Sequence, residues 1–320
     1  MKTKKAKLNP EELNLITLAQ EYSDEDKARE LLESLRWPDG PTCPHCKIDG
    51  SMNRYVYKIT PDAKSKTRKG VYCCAACRKQ FTVTVGTVFE GSHIPINKWL
   101  MAMFIICSSK KAVSAHQLHR MLGITYKTAW FMAHRIRFAM GPGPAEIIKL
   151  SGTVEVDETF VGGKGDRRTK SKRQTPVVAL VERDGNMHVR VVANVTQKNL
   201  APALNECVEK DAIVNTDEHG AYRNPLKQWK AHHTVVHSRK EYTRKLPDGT
   251  YAGVNSCESF FSLLKRGVVG AWHHVSREHL QKYADEFCFR WDHRKISDGE
   301  RMEKFAAMIE GKRLTYRQAV

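Results

Sequence analysis

Thr153-Val-Glu-Val-Asp-Glu-Thr-Phe-Val161 is the stretch that decides the fold of this chain. Its β-branched and apolar residues predict a buried strand. Two more strands are predicted at Pro176–Glu182 and Met187–Val195, and the Asp184-Gly185 pair between them is typical of a tight hairpin turn. These patterns predict a series of three antiparallel strands.

Helices and strands alternate in the residues that follow. The patterns predict a helix at about 197–210, a strand at about 212–216, another strand near Thr234–His237 and a helical region at about 256–310. Three antiparallel strands followed by helix, strand, strand and helix form the ribonuclease H-like arrangement. The sequence therefore predicts an α/β fold built on a mixed sheet.

Three carboxylates lie within or next to these predicted elements. Asp157 lies in the first strand, Asp217 directly follows the fourth, and Glu258 opens the last helical region. Such acids suit a site for two magnesium ions roughly 3.5–4 Å apart, the arrangement used in phosphodiester chemistry. Lys265 lies two helical turns after Glu258 on the same helix face, where it could hold the phosphate being cut.

Other acids compete for these roles. Glu158 and Glu218 could each replace the neighbouring aspartate as a ligand. Strand alternation places Asp157 and Glu158 on opposite faces. Asn255-Ser-Cys-Glu258 also fits a capping box, in which the glutamate would only satisfy a backbone amide. The residues by themselves leave these alternatives open.

Two C-x-x-C pairs, Cys43-Pro-His-Cys46 and Cys74-Ala-Ala-Cys77, predict a zinc ribbon. Cys73 competes with Cys74 as a ligand, but only Cys74 has the two-residue gap to Cys77. Four thiolates leave no open position for a substrate, so the zinc is expected to be structural. The remaining cysteines are expected in the core: Cys107, Cys207, Cys257 and Cys288.

The segment Ser114–Arg137 has the layout of a helix-turn-helix, with Gly123-Ile124 at the turn. Ser114 with Gln117 fits a capping box, and Thr125 can cap the second helix. An ordinary helical hairpin with a solvated basic face is the alternative. Five residues of the second helix are expected to point outward and contact DNA: Tyr126, Lys127, His134, Arg135 and Arg137.

The composition agrees with a nucleic-acid partner. The 320 residues include 53 Lys and Arg against 35 Asp and Glu, a net charge of +18. This excess predicts binding to a polyanion, with nucleic acid the leading candidate. The basic N-terminus is not followed by the apolar core of a signal peptide, and Trp99–Cys107 is too short to span a bilayer. We therefore expect a cytoplasmic protein without a membrane partner.

Gly141-Pro-Gly-Pro144 is the clearest linker, because alternating glycine and proline continue neither helix nor sheet. The patterns together predict an N-terminal helical segment at 1–36, a zinc ribbon at 37–92, a helix-turn-helix region at 93–145, a ribonuclease H-like catalytic domain at 146–300 and a C-terminal helical tail at 301–320.

This array resembles the bacterial insertion-sequence transposases that join a zinc ribbon to an acidic-triad (DDE) domain of the ISXO2-like type. Besides the cysteine pairs and the helix-turn-helix, the resemblance is carried by Val156–Lys164, Thr216-Asp217, Asn255–Gly267, Gly270–Ser276 and Phe289–Arg294. The chain departs from the family pattern twice. Gly253 stands where a histidine is expected, and Trp291-Asp-His-Arg294 replaces an ending that contains Phe-Asn.

The resemblance implies roles for particular residues. Asp157, Asp217 and Glu258 match the metal-binding triad, and Lys265 matches the basic residue after the third acid. Some relatives use asparagine as the third ligand, so Asn255 is an alternative to Glu258. The cofactors implied are magnesium or manganese at the triad and structural zinc at the cysteines.

The resemblance also implies an activity. Double-stranded DNA would be hydrolysed at the transposon ends, and the freed 3′ hydroxyl would then attack target DNA. Pairing of two ends implies a homo-oligomer, which in a bacterium would be associated with the nucleoid. Two other functions are compatible with the residues: a transposase-derived, zinc-dependent DNA-binding regulator that has lost catalysis, and a ribonuclease acting on RNA–DNA hybrids.

Overall fold

The computed structural model of the chain describes residues 10–46, 55–61, 68–143, 146–162 and 174–319. The chain divides into two compact units, Met1–Met140 with Lys295–Val320, and Gly141–Arg294. Gly163 and Lys164, the end of one family motif, lie outside the described residues.

The helices are Leu15–Glu21 (α1), Glu25–Arg36 (α2), Ile96–Ser108 (α3), Ala115–Leu122 (α4), Tyr126–Met140 (α5), Gln197–Cys207 (α6), Asn255–Gly267 (α7), Arg277–Asp292 (α8), Asp298–Met308 (α9) and Tyr316–Ala319 (α10). The strands are Val56–Lys58 (β1), Tyr72–Cys74 (β2), Gln80–Phe81 (β3), Thr153–Gly162 (β4), Gln174–Glu182 (β5), Met187–Val191 (β6), Ile213–Thr216 (β7), Ala231–Thr234 (β8), Thr243–Lys245 (β9) and Tyr251–Gly253 (β10). Among the described residues, we find no helix with the length and apolar character needed to cross a membrane.

Helix α3 lies at the centre of the first unit. Its sequence is apolar, and Trp99, Leu100 and Met103 are almost fully buried. Helices α1, α2, α5 and α9 pack around it. The C-terminal segment belongs to the same unit, where the Lys312 ammonium group donates to the Ala139 carbonyl at 2.9 Å.

The predicted N-terminal helical segment forms two helices, α1 and α2, and the second begins at an N-cap residue. Asp24 is the N-cap of α2, and its Oδ1 accepts the backbone N–H groups of Asp26 and Lys27 at 3.0 Å. The buried side chains of α2 include Ala28, Leu31 and Leu32. Asp24 therefore fixes the start of α2, and the apolar side chains pack it into the core.

A five-stranded sheet with the order β6-β5-β4-β7-β8 is the framework of the second unit. Strands β4, β5 and β6 are antiparallel neighbours, and β7 and β8 run parallel to β4. The predicted hairpin turn between β5 and β6 is present, with Asp184 at φ +60° and Gly185 N–H donating to the Glu182 carbonyl at 3.1 Å. These strand directions confirm the predicted ribonuclease H-like mixed sheet.

Three details differ from the sequence prediction. The strand expected near Thr234–His237 lies earlier, at Ala231–Thr234. The helical region expected at 256–310 is interrupted by a π turn at Val268–Trp272 and by the loops before α8 and α9. The hairpin β9–β10 has no counterpart in the prediction, because its strands are short, mostly exposed and without apolar alternation.

The two faces of the sheet carry different side chains. One face is apolar and packs with α6 through Val154, Val156, Leu200 and Leu204. The opposite face carries Glu155 and Asn215, which are nevertheless buried. Helix α7 packs against β4 and β5, and the Cys257 thiol of α7 donates to the Glu155 carbonyl at 3.4 Å. Polar groups therefore lie between the sheet and α7.

Asp292 joins the end of α8 to β6, where its Oδ1 accepts the backbone N–H of Met187 at 3.0 Å. Burial raises the pKa of Asp292 to about 7. The folded chain therefore holds this proton more tightly than the unfolded chain, in which an aspartate has a pKa of about 4. The contribution of Asp292 to stability is fully present below about pH 4 and is lost as the pH rises through about 7.

We expect Asp292→Asn to raise the free energy of unfolding at pH 8 by about 1–3 kcal/mol, because the amide oxygen accepts the Met187 bond without a buried charge. The advantage should shrink as the pH is lowered from 8 to 5. Urea unfolding of both proteins across this range measures it, and a difference that does not change with pH would contradict the assignment.

Candidate functional site

Asp157 and Asp217 lie at the same level of two neighbouring parallel strands. Strands β4 and β7 pair in a register that ends with Glu155 opposite Asn215. Continuing that register by two residues along each strand places Asp157 opposite Asp217 on the same side of the sheet. The register is therefore the physical reason why two aspartates far apart in the sequence come together.

Glu158 joins these two aspartates. Ligand oxygens of Asp157, Glu158 and Asp217 all lie within 4.8 Å of one another, and the three side chains are half-buried. Strand alternation sends Asp157 and Glu158 to opposite faces, but β7 ends at Thr216, and the carboxylates meet near this end of the strand. Glu158 also accepts a hydrogen bond from the hydroxyl of Tyr222, a fully buried residue. We call Asp157, Glu158 and Asp217 the acidic group.

Burial and, to a smaller extent, electrostatic repulsion disfavour negative charge in this group. Burial raises the pKa of Asp157 to about 7, and the carboxylates of Glu158, Asp217 and Glu258 act in the same direction. Burial also raises the pKa of Glu158. Crowded carboxylates need a proton or a cation among them to relieve the repulsion. Hard oxygen donors in this arrangement suit magnesium or manganese.

Glu218, the alternative to Asp217, is occupied elsewhere. Its carboxylate accepts the backbone N–H groups of His237 at 2.8 Å and Ser238 at 3.0 Å. These donors, Ser238 first, lower the pKa of Glu218 to about 2. Glu218 therefore fixes the segment after β8, while Asp217 belongs to the acidic group. Asp217 also has the turn role expected of it, since its Oδ1 accepts the His219 N–H at 3.0 Å.

Glu258 lies beside the acidic group without being part of it. Its side chain is 47% exposed on the first turn of α7 and contributes to the raised pKa of Asp157. One carboxylate oxygen, Oε1, lies 4.0 Å from Nδ1 of His237. Lys265 is exposed further along the same helix. The structure thus brings Asp157 and Asp217 together, places Glu258 next to them and leaves Lys265 on the surface of α7.

The capping box considered for Asn255 and Glu258 does not form. The N-cap residue of α7 is Val254, whose side chain makes no capping hydrogen bond. The N–H of Ser256 donates instead to Glu155 Oε2 at 2.7 Å. A buried glutamate of β4 therefore caps the helix that carries Glu258, which links that helix to the strand of Asp157.

Arg183 holds this capping carboxylate in place. Its Nε donates to Glu155 Oε1 at 2.8 Å, and its Nη1 donates to the carbonyl of Tyr251 in β10. Sequence reasoning missed this role of Glu155. The available signal was a charged residue in an otherwise apolar strand, on the same strand face as Asp157.

The close approach of β9 and β10 leaves little room for a side chain at position 253. A Cβ at Gly253 would lie 3.1 Å from the Tyr242 carbonyl oxygen and 3.3 Å from Cγ2 of Thr243. The histidine expected there by resemblance would push β9 and β10 apart. The departure therefore accompanies the close approach of these two strands.

The two cysteine pairs meet in the first unit. Sulfur atoms of Cys43 and Cys77 lie 3.7 Å apart, and those of Cys46 and Cys74 lie 3.6 Å apart. A tetrahedron of about 2.3 Å zinc–sulfur bonds has edges of about 3.8 Å, so the spacing fits zinc. The backbone N–H of Cys77, followed by that of Ala76, lowers the pKa of the Cys74 thiol to about 7, which favours the thiolate.

Cys73, the competing ligand, does not join this cluster. Its thiol is buried and lies toward the Cys74 carbonyl oxygen at 3.8 Å. The four cysteine sulfurs that lie within 4.8 Å of one another are those chosen from the spacing. Apart from Cys73, the cysteines outside the pairs are buried, as expected: Cys107, Cys207, Cys257 and Cys288.

The helix-turn-helix has the expected N-cap residues and turn. The Ser114 hydroxyl accepts the Gln117 N–H at 3.1 Å, and the Thr125 hydroxyl accepts the Thr128 N–H at 3.2 Å. Gly123 ends α4 in the left-handed conformation, with φ +58°. Helix α5 then packs against α4.

The expected outward orientation is wrong for His134, Arg135 and Arg137, which are all buried. Arg135 donates to the carbonyl of Glu90, and Arg137 Nη2 donates to the carbonyl of Val113 at 3.3 Å. Helix α5 packs against α3, α4, α9 and α10, so its buried polar residues satisfy internal carbonyls. The spacing of apolar residues along α5 does not show that other helices pack against it on several sides.

Tyr126 and Lys127 remain exposed at the start of α5. The first residues of the second helix are those that contact base edges in this motif. Arg120 and His116 of α4 are exposed as well and were missed in the sequence. Lys127 also lies 4.9 Å above the ring of Tyr316 in α10. The exposed basic surface of the motif is therefore α4 with the first turn of α5.

Comparison with known proteins agrees with both units. Residues 149–292 match the family model of the ISXO2-like transposase domain, and residues 23–80 match that of the transposase zinc-ribbon domain. The chain therefore carries a transposase zinc ribbon followed by an ISXO2-like transposase domain. Within the matched ranges of this transposase lie the cysteine cluster, the acidic group and Glu258.

One relative of this transposase is an archaeal protein. The chain is 29% identical over 290 residues to a protein of Halobacterium salinarum described as an uncharacterized protein in transposable element ISH50. The match covers 84% of this chain and 91% of the relative. The likeness therefore extends across both the ribbon and the transposase domain.

We expect the purified transposase to contain one zinc ion per chain, and Cys74→Ser to lose it because three thiolates bind zinc more weakly than four. The neighbouring Cys73→Ser is the matched control and should keep the metal. Elemental analysis of the two variants checks this, and loss of zinc from the Cys73 variant alone would reverse the ligand assignment.

We expect Glu155→Ala to lower the free energy of unfolding by about 2–4 kcal/mol, because it leaves Arg183 and the Ser256 amide without their shared acceptor. Glu155→Gln should lose less, since its amide oxygen can still accept the Ser256 bond. The exposed Glu209→Ala is a control expected within about 0.5 kcal/mol of wild type. Equal urea midpoints for Glu155→Ala and the control would refute the capping role.

Proposed function

We propose that this transposase cleaves DNA at the ends of an insertion element in a metal-dependent reaction and joins the freed 3′ ends to target DNA. The acidic group at the end of two parallel strands, within an ISXO2-like domain, is the observation that carries the proposal. Burial and mutual repulsion give these carboxylates a need for positive charge.

The donor set fits hard divalent cations. Asp157 and Asp217 would hold magnesium or manganese, and Glu258 at the start of α7 would complete the site. Such cations, when bound, supply activation of the attacking oxygen and stabilisation of the leaving oxygen. Glu158 is the second choice for a ligand, because its oxygens belong to the acidic group. Asn255, also on the first turn of α7, is a further alternative that offers a neutral amide oxygen in place of a carboxylate.

The chain's own residues would do the rest. Lys265, exposed on the helix of Glu258, would bind a backbone phosphate of the DNA as a point charge. Glu155 would keep α7 at a fixed position beside β4 through the Ser256 N–H. The DNA 3′ hydroxyl would act as nucleophile in the second step, so no covalent protein intermediate is needed.

The first unit would recognise DNA. The cysteine cluster would hold a structural zinc, because all four positions of a tetrahedron are filled by thiolates. Tyr126 and Lys127 would contact DNA from the start of α5, whereas His134, Arg135 and Arg137 would support the helix from within. Binding two element ends at once would require a homo-oligomer, acting at the chromosome of its host cell.

We expect Asp157→Asn, Asp217→Asn and Glu258→Gln each to lower strand cleavage by about 10³-fold or more, because each removes a negative charge that the cation needs. Binding of the element ends should be kept. The substrate is a duplex carrying the sequence that flanks the coding region, with magnesium or manganese added. Asp211→Asn is the matched control, since Asp211 is exposed and precedes β7 whereas Asp217 follows it.

Glu158→Gln decides between the two candidates for the third ligand. Cleavage that survives Glu258→Gln but is lost with Glu158→Gln would transfer the role to Glu158. Cleavage that survives Asp157→Asn would remove the proposed reaction from this site. Absence of metal-dependent cleavage by the wild-type chain, with end binding retained, would favour a DNA-binding regulator.

A further inference from the structure

We propose that residues 238–253, which contain the hairpin β9–β10, form a DNA-binding surface that holds the DNA strand as it reaches the acidic group. We call this segment the basic hairpin. The inference rests on the proposed function, which identifies the polyanion as DNA. No motif in the sequence assigns a role to this segment, and its strands follow no apolar pattern.

The basic hairpin begins directly beside the acidic group. Glu218, the residue after Asp217, accepts the backbone N–H groups of His237 and Ser238, which lead into it. The His237 ring in turn lies 4.0 Å from the carboxylate of Glu258. The first residues of the hairpin are therefore fastened to the site by an acid adjacent to a proposed metal ligand.

A second anchor holds the other strand of the hairpin. The Arg183 guanidinium donates to the Tyr251 carbonyl and also to the capping carboxylate of Glu155. Ala252 is fully buried in a small apolar cluster with Val235. The position of the hairpin within the second unit is therefore fixed, because hydrogen bonds and apolar packing hold both of its ends.

Positive charge dominates the exposed side chains of the segment. Arg239, Lys240, Arg244 and Lys245 are all exposed, and the segment contains two acids, Glu241 and Asp248. Glu241 accepts the backbone N–H of Val236 at 3.1 Å, and Asp248 accepts that of Thr250 at 2.9 Å. The acids therefore serve local turns, and Glu241 Oε1 also lies 4.0 Å from Arg244 Nε, while all four basic side chains are exposed to solvent.

Aromatic side chains accompany these charges. Tyr242 is 55% exposed and Tyr251 is 52% exposed, and the Tyr242 ring lies 5.5 Å from that of His237. Tyr251 pairs with Lys245 in the ladder, so both side chains lie on the face opposite buried Ala252. Basic side chains that follow a backbone, with aromatic rings on which sugars or unpaired bases stack, characterise surfaces for nucleic-acid strands.

The test compares two charge pairs in the full chain. Arg244→Gln with Lys245→Gln removes two charges from the basic hairpin. Lys227→Gln with Lys230→Gln removes two exposed charges before β8, at the opposite end of that strand from His237. Binding of a fluorescein-labelled 30-base-pair duplex of arbitrary sequence is measured at several sodium chloride concentrations, without added divalent metal.

We expect the hairpin pair to lower the slope of log affinity against log salt by about 1–2, since each lost phosphate contact removes about 0.9. The control pair should leave the slope unchanged. Arg239→Gln with Lys240→Gln provides a second hairpin variant with the same expected loss. Thermal unfolding confirms that each variant is folded.

Equal slopes for wild type and both hairpin pairs would overturn the inference. An equal loss in hairpin and control pairs would also overturn it, because general charge would then explain the binding. The experiment does not depend on cleavage. A chain without metal-dependent cleavage can therefore still show the hairpin effect, and a chain that cleaves can lack it.

Discussion

The parallel pairing of β4 with β7 is the constraint on which the proposed site depends. Its register, with Glu155 opposite Asn215, places Asp157 opposite Asp217 when it is continued past the end of β7. Side chains opposite each other on neighbouring strands lie about 5 Å apart, close enough for a shared cation. A slip of one residue would send one aspartate to the apolar face that packs with α6.

Acids around this end of the sheet have two different tasks. Asp157, Glu158 and Asp217 crowd together, and the pKa of Asp157 rises to about 7. Glu155 and Glu218 accept backbone N–H groups instead and hold α7 and the basic hairpin. Both oxygens of Glu155 and of Glu218 accept hydrogen bonds from distant segments, whereas Asp157 and Asp217 each accept a backbone N–H from within two residues through Oδ1 alone. Adjacent glutamates and aspartates in the sequence are thereby distinguished by their hydrogen bonds.

Much of the fold follows from local patterns in the sequence. The apolar strand Thr153–Val161, the Asp184-Gly185 turn and the C-x-x-C spacing each predict their structure because local chemistry decides it. The role of Glu155 could not be predicted, since it depends on α7, which is about a hundred residues away. The burial of Arg135 and Arg137 depends on packing by α3, α9 and α10, which periodicity in α5 does not record. Tertiary partners separated in sequence account for these differences.

The central claim is that Asp157 and Asp217 share a divalent cation. Crystals grown with manganese, measured at a wavelength where its anomalous scattering is strong, test it most directly. We expect an anomalous peak within about 2.3 Å of a carboxylate oxygen of each aspartate, as hard cations require. No peak at saturating manganese, or a peak bound by other side chains without these two aspartates, would contradict the claim.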